Sequence, residues 1–113
     1  MQPAIDWEIL RNATDGDNAA IKEVIAIYLL QGPKNVKALR AAVARDDFAQ
    51  VAMLAHKFLG SSRFFGATEI DKPLTALLKM GRLRRLSSKA STHVDHTEQE
   101  FDRISEFLKG PHG

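Results

Sequence analysis

The sequence predicts an all-α protein: an antiparallel four-helix bundle with one or two short additional helices at its N-terminal end. Apolar residues recur every three to four positions through the chain, as they do along one face of a helix. No segment shows the two-residue alternation of a strand, and no internal repeat is present. The 113 residues suffice for one domain with its own core, which we take to span residues 1–113.

The first half of the chain predicts three helices. A short leading helix covers residues 5–10, and Asp17 or Asn18 caps the second helix. The second helix ends at residues 31–32, because Pro33 has a fixed φ and no N–H and therefore suits the first turn of a new helix. The apolar positions are Ile21, Val24, Ile25 and Tyr28 in the second helix and Val36, Leu39 and Val43 in the third.

The second half predicts three more helices. One of two aspartates, residues 46–47, caps a helix that ends near residues 64–66. The next helix begins at Thr68 or Asp71. We favour Asp71 as the cap, because Pro73 then lies in the first turn, where backbone N–H groups have no helical partner. The apolar positions are Leu74, Leu77 and Leu78 in this helix and Val94, Phe101, Ile104 and Leu108 in the last, which Gly110 and Pro111 close.

The helix in the middle of the chain carries the most informative residue, His56. At about 100° per residue, its side chain projects about 140° from the centre of the apolar stripe and points to solvent. Gly60 lies one turn later, although glycine inside a helix costs about 0.5–1 kcal/mol relative to alanine. Two explanations remain open for Gly60: close packing of a neighbouring helix, or clearance for a group bound at His56. The stripe consists of Phe48, Val51, Ala55, Phe58, Ser62 and Phe65.

This segment resembles the signature of histidine-containing phosphotransfer domains. The matching residues are Ala55, His56, the basic Lys57, then Gly60, Ser61 and Ser62, then Gly66 and Ala67. Residues 44–47 and 77–82 also resemble the family, so the resemblance covers essentially the whole chain. It implies a carrier in a multistep two-component phosphorelay, in which His56 accepts a phosphoryl group from a receiver-domain aspartate and passes it to another. The implied partners are receiver domains of response regulators and of a hybrid histidine kinase.

The residues independently suit this chemistry. An imidazole in water has a pKa of about 6.5, so at neutral pH one ring nitrogen has a free lone pair that can attack phosphorus. The family often has lysine where this chain has Leu59, which leaves Lys57 and Arg63 as the nearest cations to His56. We interpret Ser61 and Ser62 as helix-packing residues. Small and apolar residues around His56 predict a docking surface for a partner: Ala49, Met53 and Phe64.

A second function remains open at this stage, namely a helical adaptor that binds a signalling partner without chemistry. Other classes have weaker support. His93, His96 and Glu100 have a spacing that suits zinc, but we expect no metal site, and any Mg²⁺ for transfer would come from the partner receiver domain. The basic run over residues 79–89 is better explained as a solvated helix end than as a nucleic-acid site.

Several functional classes are not expected from the composition. No glycine-rich loop that cradles phosphates is present, so we expect neither ATP binding nor self-phosphorylation, and therefore a carrier rather than an enzyme. The chain has no cysteine and a net charge of +2. With no apolar run long enough to cross a bilayer and no secretory-signal pattern, we expect a cytoplasmic monomer without membrane contact.

Overall fold

The structure is a computed structural model that describes residues 4–110. The described residues form five α-helices and no strand, which confirms the all-α prediction. One short helix precedes four longer ones. The helices are α1 (Trp7–Ala13), α2 (Asn18–Ala44), α3 (Phe48–Phe64), α4 (Asp71–Arg82) and α5 (Ala90–Lys109).

The short helix α1 closes one end of the bundle. The carboxylate of Asp6 caps it by accepting hydrogen bonds from the backbone N–H groups of Glu8 and Ile9. The backbone N–H of Asp6 donates to the carbonyl of Phe65 over 2.9 Å, which ties α1 to the C-terminal end of α3. Gly66 has a φ of +67°, and a Cβ there would lie 2.6 Å from the Cβ of Asp6, so the turn after α3 requires glycine.

The predicted break at residues 31–32 is wrong, because α2 continues through Pro33 as one helix of 27 residues. Proline in a helix interior costs about 3 kcal/mol, since it removes a hydrogen bond and crowds the preceding turn. Here Pro33 lies on the exposed side of the helix. Both halves of α2 bury apolar side chains, Tyr28 before the proline and Val36 and Leu39 after it. Each such side chain contributes about 1.5–3 kcal/mol on burial, which outweighs the local cost of proline.

The starts and ends of the other helices agree with the sequence except at α1 and at one cap. Helix α1 covers Trp7–Ala13 rather than residues 5–10, because its cap is Asp6 and the helix continues past Leu10. Asp47 caps α3, as predicted, by accepting from the backbone N–H of Gln50. Helix α4 starts at Asp71, but Asp71 is its first residue rather than its cap, and the capping position, Ile70, makes no side-chain hydrogen bond. Gly110 ends α5 in an extended conformation, whereas Pro111 lies outside the described residues.

The four long helices form a bundle in which each packs against two neighbours in the cyclic order α2, α3, α4, α5. The links between them are short, so consecutive helices run antiparallel. An aromatic cluster lies at the centre, where the ring centroid of Tyr28 is 4.6 Å from that of Phe65 and 5.3 Å from that of Phe101. Phe58 of α3 contacts both Tyr28 and Phe101. This cluster fixes α3 with its apolar stripe inward and its opposite face in solvent.

Candidate functional site

One face of α3 presents the seven residues that the sequence assigned to phosphate acceptance, support and docking. Successive positions on this face lie within about 120° of arc around the helix axis. Every member is exposed, and Met53 retains 55% of its accessible surface. The opposite stripe is buried from Val51 to Phe65. The exposed set consists of Ala49, Met53, His56, Lys57, Gly60, Arg63 and Phe64.

The imidazole of His56 is exposed, as predicted, and forms no hydrogen bond or ion pair with any residue in the range 4–110. Both ring nitrogens therefore face solvent without a competing partner. A neutral imidazole in this setting keeps one lone pair available as a nucleophile. The helix below the ring holds it at a fixed place on the surface. Such a ring is accessible to the active site of another protein.

Gly60 lies in open space. A Cβ built at this position would find no atom within 4 Å beyond the helix itself. The other two glycines inside helices differ, because a Cβ at Gly32 would overlap the ring of Phe101 and one at Gly81 would lie 2.7 Å from the backbone nitrogen of Ala52. Close helix packing thus explains Gly32 and Gly81 but not Gly60. Of the two explanations for Gly60, close packing of a neighbouring helix is excluded among the described residues, and clearance beside His56 remains.

Leu59 occupies the position where the family often has lysine, and its side chain is only 3% exposed. It belongs to the core rather than to the face that carries His56. A cation at this position would have to leave the core to reach solvent. The chain therefore has no substitute for the usual lysine at that position, and any positive charge near His56 comes from other residues.

Arg63 is engaged with a neighbouring helix. Its Nε donates a hydrogen bond to Oδ2 of Asp71, the first residue of α4, over 3.2 Å. The other carboxylate oxygen of Asp71 is buried and has no hydrogen-bond partner among the described residues. Arg63 lies seven residues after His56, about 10 Å along the helix axis. In this arrangement its guanidinium links α3 to α4 rather than lying against the imidazole.

Lys57 lies at the edge of a groove between α2 and α3. The ammonium group makes no ion pair with any residue that the structure describes. The groove has a volume of about 370 Å³ and a largely apolar wall. It extends along three turns of α2, and Gly60, Ser61 and Phe64 form its wall on α3. The groove is thus continuous with the exposed face that carries His56.

The two serines of the motif differ in what they contact. Ser62 is fully buried, and its Oγ lies 2.8 Å from the hydroxyl of Tyr28 on α2. Burial raises the pKa of Tyr28 to about 12, although the hydrogen bond with Ser62 acts in the opposite direction. Ser61 donates to the carbonyl oxygen of Phe58 one turn earlier. Ser62 joins α2 and α3, as the sequence predicted for a helix-packing residue.

The two weaker constellations are far less organised. Within residues 4–110, no three histidine, cysteine, aspartate or glutamate side chains lie close enough to hold a metal ion. His96 instead lies 3.9 Å from Glu100 on the next turn of α5. The basic residues at the end of α4 are exposed, and the guanidinium of Arg84 stacks 5.8 Å from the ring centre of Phe48. No helix among the described residues is long and apolar enough to cross a bilayer.

Comparison with known proteins identifies the family. Residues 23–107, three quarters of the chain, match the family model of the Hpt domain. The chain belongs to the Hpt domain family. This Hpt domain also superposes on the crystal structure of histidine-containing phosphotransfer protein B from Pseudomonas aeruginosa PAO1 with a TM-score of 0.86. That match has 21% sequence identity and covers 96% of this chain and 94% of the other, so it supports the fold. No curated protein was found to match.

Family membership establishes the function in outline: the protein is a histidine phosphotransfer protein of a phosphorelay. Partners of Hpt domains are receiver domains. Sequence reasoning did not find the groove between α2 and α3, the pairing of Arg63 with Asp71, or the hydrogen bond between Tyr28 and Ser62. One signal was available in the sequence, since the polar Asn35 directly precedes Val36, an apolar position of α2.

Proposed function

We propose that His56 is the phosphoacceptor of this Hpt domain. The observation that carries the proposal is the exposed, unpartnered imidazole beside the open space at Gly60. A ring nitrogen of His56 attacks the phosphorus of a receiver aspartyl phosphate. The N–P bond forms as the P–O bond to the aspartate breaks, and the aspartate leaves as a carboxylate. The reverse steps place the same group on the aspartate of a second receiver.

We assign supporting roles to three neighbours. Gly60 gives the phosphoryl group and the partner room beside the ring. Lys57 supplies positive charge to the phosphoryl oxygens or to the acidic rim of a receiver, since its ammonium group is exposed and has no ion pair within residues 4–110. Arg63 contributes positive charge to the phosphoryl group only when its ion pair with Asp71 is broken. Mg²⁺ for the transfer comes from the receiver domain, and the Hpt chain acts without a cofactor of its own.

Apolar residues around the ring form the docking surface in this proposal. Met53 lies one turn before His56 and is 55% exposed, and Phe64 lies two turns after it and is 36% exposed. Ala49, which is also exposed, extends the surface toward the start of α3. Exposed apolar side chains that flank a reactive group favour a protein partner, because their burial contributes to its affinity.

The experiment is transfer of phosphate from receiver domains that have been phosphorylated on aspartate. We expect acid-labile, alkali-stable label on the wild-type chain and none on His56→Gln. Label that persists in His56→Gln would remove His56 from the mechanism, whereas no label from any receiver would favour the adaptor alternative. Incubation with ATP alone tests the further proposal that the chain is a carrier and not a kinase, and we expect no label on the chain in that experiment. EDTA should abolish transfer, because the proposed transfer requires Mg²⁺ bound to the receiver domain.

The docking surface has a matched control. Phe64 on α3 and Phe107 on α5 are almost equally exposed, at 36% and 38%, but α5 lies diagonally across the bundle from α3. Loss of a large aromatic side chain near the centre of an interface, where such residues carry much of the binding energy, weakens binding by about tenfold or more. We therefore expect Phe64→Ala to weaken receiver binding about tenfold and Phe107→Ala to leave it unchanged. Equal effects of the two substitutions would contradict the placement of the docking surface on α3.

We also propose that this domain is monomeric and acts in the cytoplasm. A single phosphoacceptor on one helix face requires only one chain. The absence of cysteine is compatible with a reducing compartment. Sedimentation of the purified protein tests the monomer, and fractionation of cells tests the compartment.

A further inference from the structure

A buried asparagine lines the apolar groove between α2 and α3. Asn35 is 7% exposed and lies in the second half of α2, where the next residue, Val36, and Leu39 one turn later are also buried. Its side-chain amide makes no hydrogen bond with any residue in the range 4–110. Buried amides are nearly always paired, because an unpaired one loses its hydration without compensation. Asn35 departs from this rule in the free protein, where its amide has no protein partner among the described residues.

The amide of Asn35 is accessible from the groove. Among the side-chain nitrogen and oxygen atoms of the described residues, only Oδ1 of Asp71 is both sealed from solvent and without a hydrogen bond. The unpaired amide atoms of Asn35 thus keep some accessible surface, and the groove is the space that this residue lines. The same groove is bounded by Tyr28, Gly60 and Phe64. A molecule that docks on the His56 face and enters the groove reaches Asn35.

Within the proposed function, we propose that Asn35 is a specificity-determining residue that selects among receiver domains. The occupant of the groove is the receiver itself, because the groove shares Lys57, Gly60 and Phe64 with the face that carries His56. The exposed ammonium group of Lys57 at its edge also suits a partner whose active site is acidic. A receiver that brings a hydrogen-bonding group to Asn35 pairs the amide. One that brings only apolar groups seals the amide without a partner and binds less tightly.

The groove has the right form for this task. Its wall on α2 runs from Val24 to Asn35, about 16 Å along the helix axis, or three helical turns. A groove of this length accepts an apolar helix face or a row of side chains. Apolar contacts along it supply affinity for any receiver of suitable shape. One polar group at its end distinguishes among them, since an unmatched buried amide changes affinity by about tenfold.

The test compares the wild-type chain with Asn35→Leu, which keeps the branched shape of the side chain and removes its polar atoms. Asn35→Ala serves as a second variant should leucine disturb the groove, and Asn12→Ala on the exposed side of α1 is the matched control. Each chain is titrated with the set of receiver domains of the source genome, and transfer from each phosphorylated receiver is measured alongside. The midpoint of thermal unfolding of each variant is measured first, to show that the variant is folded.

We expect Asn35→Leu to lose about tenfold in affinity for the best receiver and to bind the others as well as or better than the wild type. The range of affinities across the receiver domains is then narrower for Asn35→Leu than for the wild type, whereas Asn12→Ala has the same range as the wild type. Unchanged selectivity in a variant that still receives phosphate would overturn the role of Asn35 and leave the proposed function intact. No transfer to the wild type from any receiver would overturn both. A wild-type dimer that Asn35→Leu converts to monomer would assign the groove to a second copy of the chain and overturn the inference.

Discussion

Replacement of Gly60 separates stability from function in this Hpt domain. Because a Cβ at Gly60 meets no atom within 4 Å, Gly60→Ala gains the helix propensity of alanine, about 0.5–1 kcal/mol, without a steric cost. The entropy of unfolding of a 113-residue domain is about 0.24 kcal/mol/K. Dividing the gain by this entropy gives an increase of about 2–4 °C in the midpoint of thermal unfolding, which circular dichroism measures directly.

Gly81→Ala is the matched control, because both glycines lie inside helices. A Cβ at Gly81 would lie 2.7 Å from the nitrogen of Ala52 and 2.8 Å from the oxygen of Phe48, both backbone atoms of α3. Backbone atoms cannot move aside cheaply, so we expect destabilisation by about 1–3 kcal/mol. A lower midpoint for Gly60→Ala, or an equal response of the two variants, would refute the assignment of open space at Gly60.

A larger side chain at position 60 tests the functional half of the argument. Side chains on a helix lean toward its N-terminus, so a leucine at Gly60 covers the turn that holds His56 and Lys57. We expect Gly60→Leu to remain folded and to accept phosphate from receivers at least about tenfold more slowly, as is typical when a reactive group is shielded from its partner. Transfer at the wild-type rate would show that no clearance is needed there.

Three further predictions concern the scaffold and the cations. The pKa of Tyr28 is raised to about 12 in the fold, so the neutral phenol stabilises the folded state fully below pH 10, and about 3 kcal/mol of this stability is lost between pH 10 and 12. Tyr28→Phe should remove this pH dependence from the free energy of unfolding measured by denaturant titration. Gly32→Ala should lower the free energy of unfolding by about 1–3 kcal/mol, because its Cβ would overlap the ring of Phe101; an unchanged denaturation midpoint would contradict that contact. Arg63→Ala should change stability by less than about 1 kcal/mol yet slow transfer, whereas Arg40→Ala, which breaks exposed ion pairs to α5, should leave transfer rates unaltered; equal rates for the two variants would exclude a role for Arg63.

Local sequence patterns sufficed to predict most of the helices. The apolar stripe of α3, its cap at Asp47 and the exposed position of His56 all follow from helix geometry and capping chemistry within about five turns of chain. The same holds for the apolar faces of α4 and α5. These features depend on neighbours in sequence, which is why they could be inferred without knowledge of the packing.

The wrong predictions concern features that depend on contacts between residues far apart in the sequence. A helix break at Pro33 is the expected local outcome, but α2 packs against both α3 and α5, and burial on either side of the proline keeps the helix continuous. Aspartate is a residue type that favours the capping position of a helix, yet the carboxylate of Asp71 pairs with Arg63 of α3 instead. Neither contact leaves a local signature.

The site divides in the same way. Its seven surface residues share one helix face, so periodicity was enough to bring them together. The reason for Gly60 required the positions of neighbouring helices, since glycine at a helix contact and glycine in open space look alike in sequence. The groove that Asn35 lines is bounded by residues of both α2 and α3, so it depends on how the two helices pack together.

The position of the phosphoryl group on the chain tests the central claim most directly. Cleavage after Arg45 and Lys57 by trypsin yields the peptide of residues 46–57, in which His56 is the only histidine and no serine, threonine or tyrosine occurs. Mass spectrometry of the protein after transfer from a receiver, kept at alkaline pH, should find the mass of one phosphoryl group on this peptide alone. A phosphoryl group on the α5 peptide that carries His93 and His96, with the 46–57 peptide unmodified, would contradict the account.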